Sequence, residues 1–151
     1  MARETYVDGL LEGKAETYYP NGKLASVEFW KDDLQEDSAW YFHSNGSLHR
    51  KGRYESGVYQ GQWLMYFPNQ VAEQQISYAD GLPNGESKNW NETGILIESG
   101  HYSFGKKDGQ FIFFHPKTGK VSSISAYEMD QPKGLWIYFN RHEKIIRKEW
   151  H

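Results

Sequence analysis

The chain contains no cysteine, which removes disulfides, thiolate nucleophiles and cysteine-ligated metals from consideration and fits a reducing compartment. No apolar run is long enough to span a bilayer, and the opening Met1-Ala2-Arg3-Glu4-Thr5-Tyr6 holds no stretch of signal-peptide length. A cytoplasmic location is therefore expected. Neither sign of charge dominates: 17 Lys and Arg face 20 Asp and Glu, a net charge of −3. Such a chain is a poor electrostatic match for nucleic acid or an anionic membrane. No segment shows the 3.6-residue periodicity of an amphipathic helix. Hydrophobic residues are only 38%, a level that hints at disorder, but 6 Trp, 11 Tyr and 8 Phe argue for a folded chain. The length, 151 residues, suits a single domain with a thin aromatic core.

What is present is a repeat. Gly13, Gly61, Gly85, Gly109 and Gly134 stand 48, 24, 24 and 25 residues apart, and Asp37 bisects the first gap. Asp tolerates the left-handed turn conformation that Gly adopts freely. Five residues after each anchor comes a ring: Tyr18, Phe42, Tyr66, Trp90, Phe114 and Phe139. A turn follows, then an aliphatic residue (Leu24, Leu48, Val71, Leu96, Val121, Ile145), then a closing ring at Trp30, Tyr54, Tyr78, Tyr102, Tyr127 and Trp150. A fixed period of this size marks a repeat architecture. Aromatic and β-branched residues between turn formers make each unit a β-hairpin. The expected fold is all-β: an elongated, twisted antiparallel sheet of about six tandem hairpins, 1–151 forming a single domain. The hairpins fall at about 13–30, 37–54, 61–78, 85–102, 109–127 and 134–150, and Tyr6-Val7 is expected to add a capping strand. Unit three lacks a glycine after Asn69, so its turn is expected to be one residue tighter.

Segments such as Gly61-Gln62-Trp63-Leu64-Met65-Tyr66-Phe67-Pro68-Asn69 and Lys107-Asp108-Gly109-Gln110-Phe111-Ile112-Phe113-Phe114 resemble the variant MORN repeat of bacteria. That unit runs Asp-Gly, Gly-x-Trp, a Tyr-rich strand, Asn-Gly, a Leu and a closing Tyr, and the resemblance covers about residues 8–150. It implies a non-catalytic binding domain, because proteins of this type are often antitoxin-like or immunity proteins that neutralise a toxin. MORN repeats elsewhere serve as protein-binding or lipid-associated scaffolds. Ala39 and Ser87 stand where the family prefers tryptophan, so those columns are expected to pack or bind differently.

Alternate residues of a strand face opposite sides. The face three and five residues after each anchor, which includes the constant ring, is assigned to the core. The face four and six residues after it varies: Tyr19, Tyr41, His43, Met65, Phe67, Phe113 and His115 belong there. Three readings of that second face stay open: a protein-binding surface, packing within the curled sheet, and self-association. Exposed aromatic, Met and His side chains favour a binding surface for a cognate protein. Asp32, Asp33 and Glu36 form an acidic cluster suited to a basic toxin, though such clusters also serve as solvated strand edges. The alternative function is a structural, self-assembling or membrane-associated scaffold using the basic Arg141, Lys144, Arg147 and Lys148.

Catalysis finds little footing. His43 and His115 share a repeat position three units apart, on the order of 29 Å at two strands per unit, too far to act together. No His-Glu-x-x-His pattern, nucleophile elbow or phosphate-cradling loop occurs. No catalytic, metal or cofactor residues are assigned, and no nucleic-acid partner is expected. Oligomeric state is not legible.

Overall fold

The computed structural model describes residues 1–151. It consists of strands and turns with no helix. Six hairpins follow one another: Gly13–Tyr18 with Leu24–Lys31, Asp37–Phe42 with Leu48–Glu55, Val58–Tyr66 with Ala72–Ala79, Leu82–Trp90 with Leu96–Ser103, Gly109–Phe114 with Val121–Glu128, and Leu135–Phe139 with Ile145–Trp150. Each lies beside the next in one 16-stranded antiparallel sheet whose order follows the sequence. The sheet is capped at its first edge by Ala2–Arg3 against Arg3↔Glu16 and Ala2↔Thr17. Tyr6–Val7 does form a strand, but pairs with Leu10–Leu11 in a separate two-stranded ladder rather than capping the sheet.

Turn chemistry sets this layout. Asp8-Gly9, Asp32-Asp33, Ser56-Gly57, Asp80-Gly81, Phe104-Gly105 and Met129-Asp130 all have positive φ at both positions. That is the two-residue turn whose twist matches antiparallel strands. The six anchors are left-handed as well, Asp37 at φ 66° and Gly61 at φ 66°. Within each hairpin the register slips by one residue, as between Tyr41 and Phe42 or Phe113 and Phe114, leaving an extra residue such as His49 or Ser122. These bulges sharpen the twist.

The turn of unit three is not tighter. Phe67 N–H donates to Val71 O at 2.9 Å, just as Tyr19 N–H donates to Lys23 O in unit one, and Gln70 occupies the glycine position at φ 70°. Unit six departs from the expected pattern at its end. The anchor Gly134 exchanges backbone hydrogen bonds with His151, while Trp150 pairs with Leu135 and is 79% exposed. His151, not Trp150, is the sixth closing ring, and it lies 4.3 Å from the Trp136 ring.

Only nine residues are buried, as a single-layer sheet demands, and they identify the core face. They include Ala15, Ala39, Trp63, Ser87 and Phe111, each two residues after its anchor, with Ser26, Tyr54, Ile76 and Ser125 on the closing strands. The assignment from the sequence is therefore reversed. Residues two and four after the anchor face inward, and the constant ring at five is half-buried on the other side. Large rings alternate with small residues along the core. Trp63 and Phe111 fill the space that a Cβ on Gly52 or Gly100 would need, and the closing Tyr54, Tyr102 and Tyr127 stand edge-on to them at 5.2–5.5 Å. Such edge-to-face contacts add to the hydrophobic burial. The indole N–H of Trp63 donates to Arg53 O and that of Trp136 to Ala126 O, both at 3.1 Å, so neither ring is buried at the cost of an unpaired donor.

Candidate functional site

Register makes the inner face continuous. Thr17 lies opposite Ser26, Ser26 opposite Tyr41, Tyr41 opposite Arg50 and Arg50 opposite Met65. The row continues through Gln74, Asn89, Glu98, Phe113, Ser123 and Tyr138 to Arg147. Residues paired across strands share a face, so one uninterrupted row of mixed apolar, polar and charged side chains crosses all six units. At about 4.8 Å per strand it runs about 53 Å. Its side chains are half-buried, apart from the buried Ser26 and the exposed Arg147.

Between units one and three this face holds a linked polar and aromatic cluster. The Tyr41 hydroxyl donates to Glu28 Oε1 and lies 3.0 Å from the Tyr54 hydroxyl. Glu28 also accepts from Gln35 Nε2 at 3.0 Å. Burial, then the bond to Glu28, pushes the Tyr41 phenol far above its usual range, and burial pushes Tyr54 up to about 12. The Arg50 guanidinium lies 4.1 Å from the Tyr41 ring centroid, and its Nη1 donates to the Tyr59 hydroxyl at 3.0 Å. Cation–π contact of this kind is strengthened by partial desolvation. Beneath lies Trp63, 4.3 Å from Tyr59 and 6.5 Å from Tyr41. Tyr41 thus packs on the core rather than standing free of it.

The residues assigned to partner binding divide by what holds them. The Tyr19 hydroxyl donates to Phe42 O at 2.7 Å, and His43 Nε2 lies 2.8 Å from Tyr66 O. Both side chains thus bridge one unit to the next. Met65 stands in the row between Arg50 and Gln74, and Phe67 remains half-buried beside its turn. Phe113 sits in the row with the Lys107 ammonium 5.9 Å from its ring. His115 Nε2 is buried without a partner. Asp32, Asp33 and Glu36 lie not on this face but in the connectors. Asp33 Oδ1 accepts Leu11 N–H and Glu36 Oε2 accepts Ser56 N–H, both at 2.7 Å, so these two carboxylates tie neighbouring connectors together. Asp32 sits beside them in the left-handed turn, exposed. The acids form a capping ladder, continued by Gln60 onto Asp80 N–H and Asn84 onto Phe104 N–H.

The sequence reading missed Arg50, Tyr59, Lys107 and Ser123, and it placed Tyr138 on the variable face without naming it for binding. The signal was available, because an anchor pairs with its closing ring, and counting inward from that pair puts Arg50 opposite Tyr41. The same count brings His49 near His43, and their rings are 4.4 Å apart. Burial, then His43 and Arg50, holds the His49 imidazole below its usual pKa. No cluster of three or more His, Asp or Glu side chains gathers to hold a metal ion. No helix is long and apolar enough to cross a membrane.

Residues 11–32 match the family model described as MORN repeat variant. No curated protein matches the chain. The matched stretch ends its lead-in at Leu11-Glu12 and contains the whole first hairpin, and the five later units repeat that hairpin's anchor, turn and closing ring in register. The chain is thus one open antiparallel sheet of six hairpins, the first of which is similar to a MORN repeat variant.

Proposed function

We propose that this is a non-catalytic protein-binding module that grips a cognate protein with the face carrying the Thr17–Arg147 row, and that the cognate protein is a toxin it neutralises. MORN repeats are generally protein- or membrane-binding modules. The observation that carries the reading is the row itself: half-exposed, chemically varied and unbroken across every strand. Aromatic, Met and Arg side chains flanked by polar neighbours are the composition of a protein-recognition surface. The acids on this face are bonded to neighbours, Glu28 to Tyr41 and Glu149 to Tyr138 and Arg147, which suits recognition better than proton transfer.

The test is to express the product of the adjacent gene alone and with this chain. Neutralisation with co-purification, lost on Met65→Glu with Asn89→Lys and kept on the outer-face control Lys51→Glu with Gln75→Lys, supports the reading. Loss with the outer-face control alone, or no toxicity and no complex, overturns it.

A second reading, a membrane-associated scaffold, draws on unit six. There Ile145, Ile146 and Trp150 are 51–79% exposed beside Lys144 and Lys148. Salt-sensitive flotation with anionic vesicles, lost on Lys144→Glu with Lys148→Glu, would favour it over toxin binding.

A further inference from the structure

Between units five and six the inner face opens into a notch. Phe113, Tyr127, Trp136 and Tyr138 wall it, and Ser123 and Ser125 form its floor. The notch exists because both floor positions are small where ringed neighbours stand on each side. Ser123 lies opposite Phe113 on one strand and Tyr138 on the other, and Ser125 opposite Phe111. Its volume is about 280 Å³. A dry apolar cavity of about 150 Å³ already accepts benzene, so an indole or a leucine side chain fits here. Two of the donors that line it are already engaged. The Ser125 hydroxyl is buried and turned to Phe111 O at 3.4 Å, and the Trp136 indole N–H is spent on Ala126 O.

The rim is cationic on two sides. The Lys107 ammonium lies 4.7 Å from the Phe111 ring and 5.2 Å from Tyr127, and it has no carboxylate within ion-pair distance. Arg147 lies 4.0 Å from the Tyr138 ring and shares Glu149 with the Tyr138 hydroxyl. The Asp130 carboxylate next to Lys107 already accepts the Lys107 backbone N–H. Lys107 is therefore the one rim charge left without an opposite.

Resting on the protein-binding reading above, we propose that this notch is the anchor pocket of the interface. It takes one large apolar side chain, best an aromatic one, from a protein segment that places a carboxylate beside the anchor to meet Lys107. An open notch of this size buries a single side chain rather than a whole small molecule, which pockets usually enclose on most sides. Anchors of that kind, set in a desolvated pocket, dominate interface energetics. The carboxylate adds selectivity.

The probe is N-acetyl-glutamyl-tryptophanamide, titrated into the 15N-labelled full chain, with N-acetyl-lysyl-tryptophanamide as the opposite-charge control. Saturable shifts confined to the amides of Phe113, Ser123 and Ser125 and the Trp136 indole are expected. The glutamyl probe should bind about fivefold tighter, a preference abolished by Lys107→Gln. Ser123→Phe fills the notch and should abolish the shifts with an unchanged circular dichroism spectrum. Ser123→Thr, which leaves the notch open, should keep them. Shifts spread over all six units, or surviving Ser123→Phe, overturn the pocket. Equal binding of the two probes overturns the acidic anchor. If Ser123→Phe still co-purifies with a cognate protein that Met65→Glu with Asn89→Lys releases, the notch falls while the binding face stands.

Discussion

The indole of Trp63 occupies the space a side chain on Gly52 would fill. Gly52 has no unusual backbone conformation, so the position is glycine for room alone. The same holds for Phe111 and Gly100. Gly52→Ala and Gly100→Ala should each cost about 1–3 kcal/mol, the usual penalty of overpacking. Urea midpoints check this, and a change within about 0.5 kcal/mol would show that the rings can yield.

Tyr41 is a structural residue of the inner face. Tyr41→Ala removes its contacts with Arg50 and Trp63 and should cost about 3 kcal/mol. Tyr41→Phe keeps the ring but removes the donor to Glu28, for about 1–2 kcal/mol. The outer-face Tyr66→Ala should cost less than Tyr41→Ala, because Tyr66 bonds nothing through its hydroxyl whereas Tyr41 bonds Glu28 and packs against the buried cluster around Trp63. Equilibrium denaturation of the three variants checks the order.

His49 gives the fold a pH dependence. Its pKa is lowered by burial first, then by His43 and Arg50, with Glu73 opposing. Below the ordinary imidazole value of about 6.5 the unfolded chain binds the proton more readily than the folded one. The stability is fully present above that value and is lost as pH falls toward the lowered folded pKa. His49→Gln should flatten the difference in urea midpoint between pH 7.5 and pH 5.5, and an unchanged difference would place its origin elsewhere.

Gln70 holds φ 70° in a turn where units one, two, four and five have glycine. A left-handed non-glycine residue carries strain of about 1–2 kcal/mol, so Gln70→Gly should stabilise by about 1 kcal/mol. Asp37→Gly should gain less, because Asp37 Oδ1 accepts Ser38 N–H at 2.8 Å. Thermal melts of both variants check the ranking.

The repeat and its turns were legible because turn chemistry is local. Asp37 at an anchor and Asp32-Asp33 in a connector declare left-handed backbone by residue type alone. The choice of face was not. The outer column is aromatic in every unit, and constancy looks like a core. A single-layer core instead needs a large ring in one unit beside a small residue in the next, so Ala15, Ala39, Trp63, Ser87, Phe111 and Trp136 read as an irregular column. Trp150 misled for a related reason, since its ring drew attention from His151, which alone stands at the register of the other closing rings. The acids at Asp33 and Glu36 read as a charged patch because their backbone partners lie 22 and 20 residues away, respectively.

Which side of the sheet is the core can be measured with one pair of variants. Trp63 is fully buried on the inner face, and Trp40 is half-buried on the outer face, opposite Lys51. Denaturation should show Trp63→Ala losing about 3–5 kcal/mol and Trp40→Ala losing less than half as much. A larger loss at Trp40 than at Trp63 would contradict the inner-face core, and with it the row proposed to meet a partner.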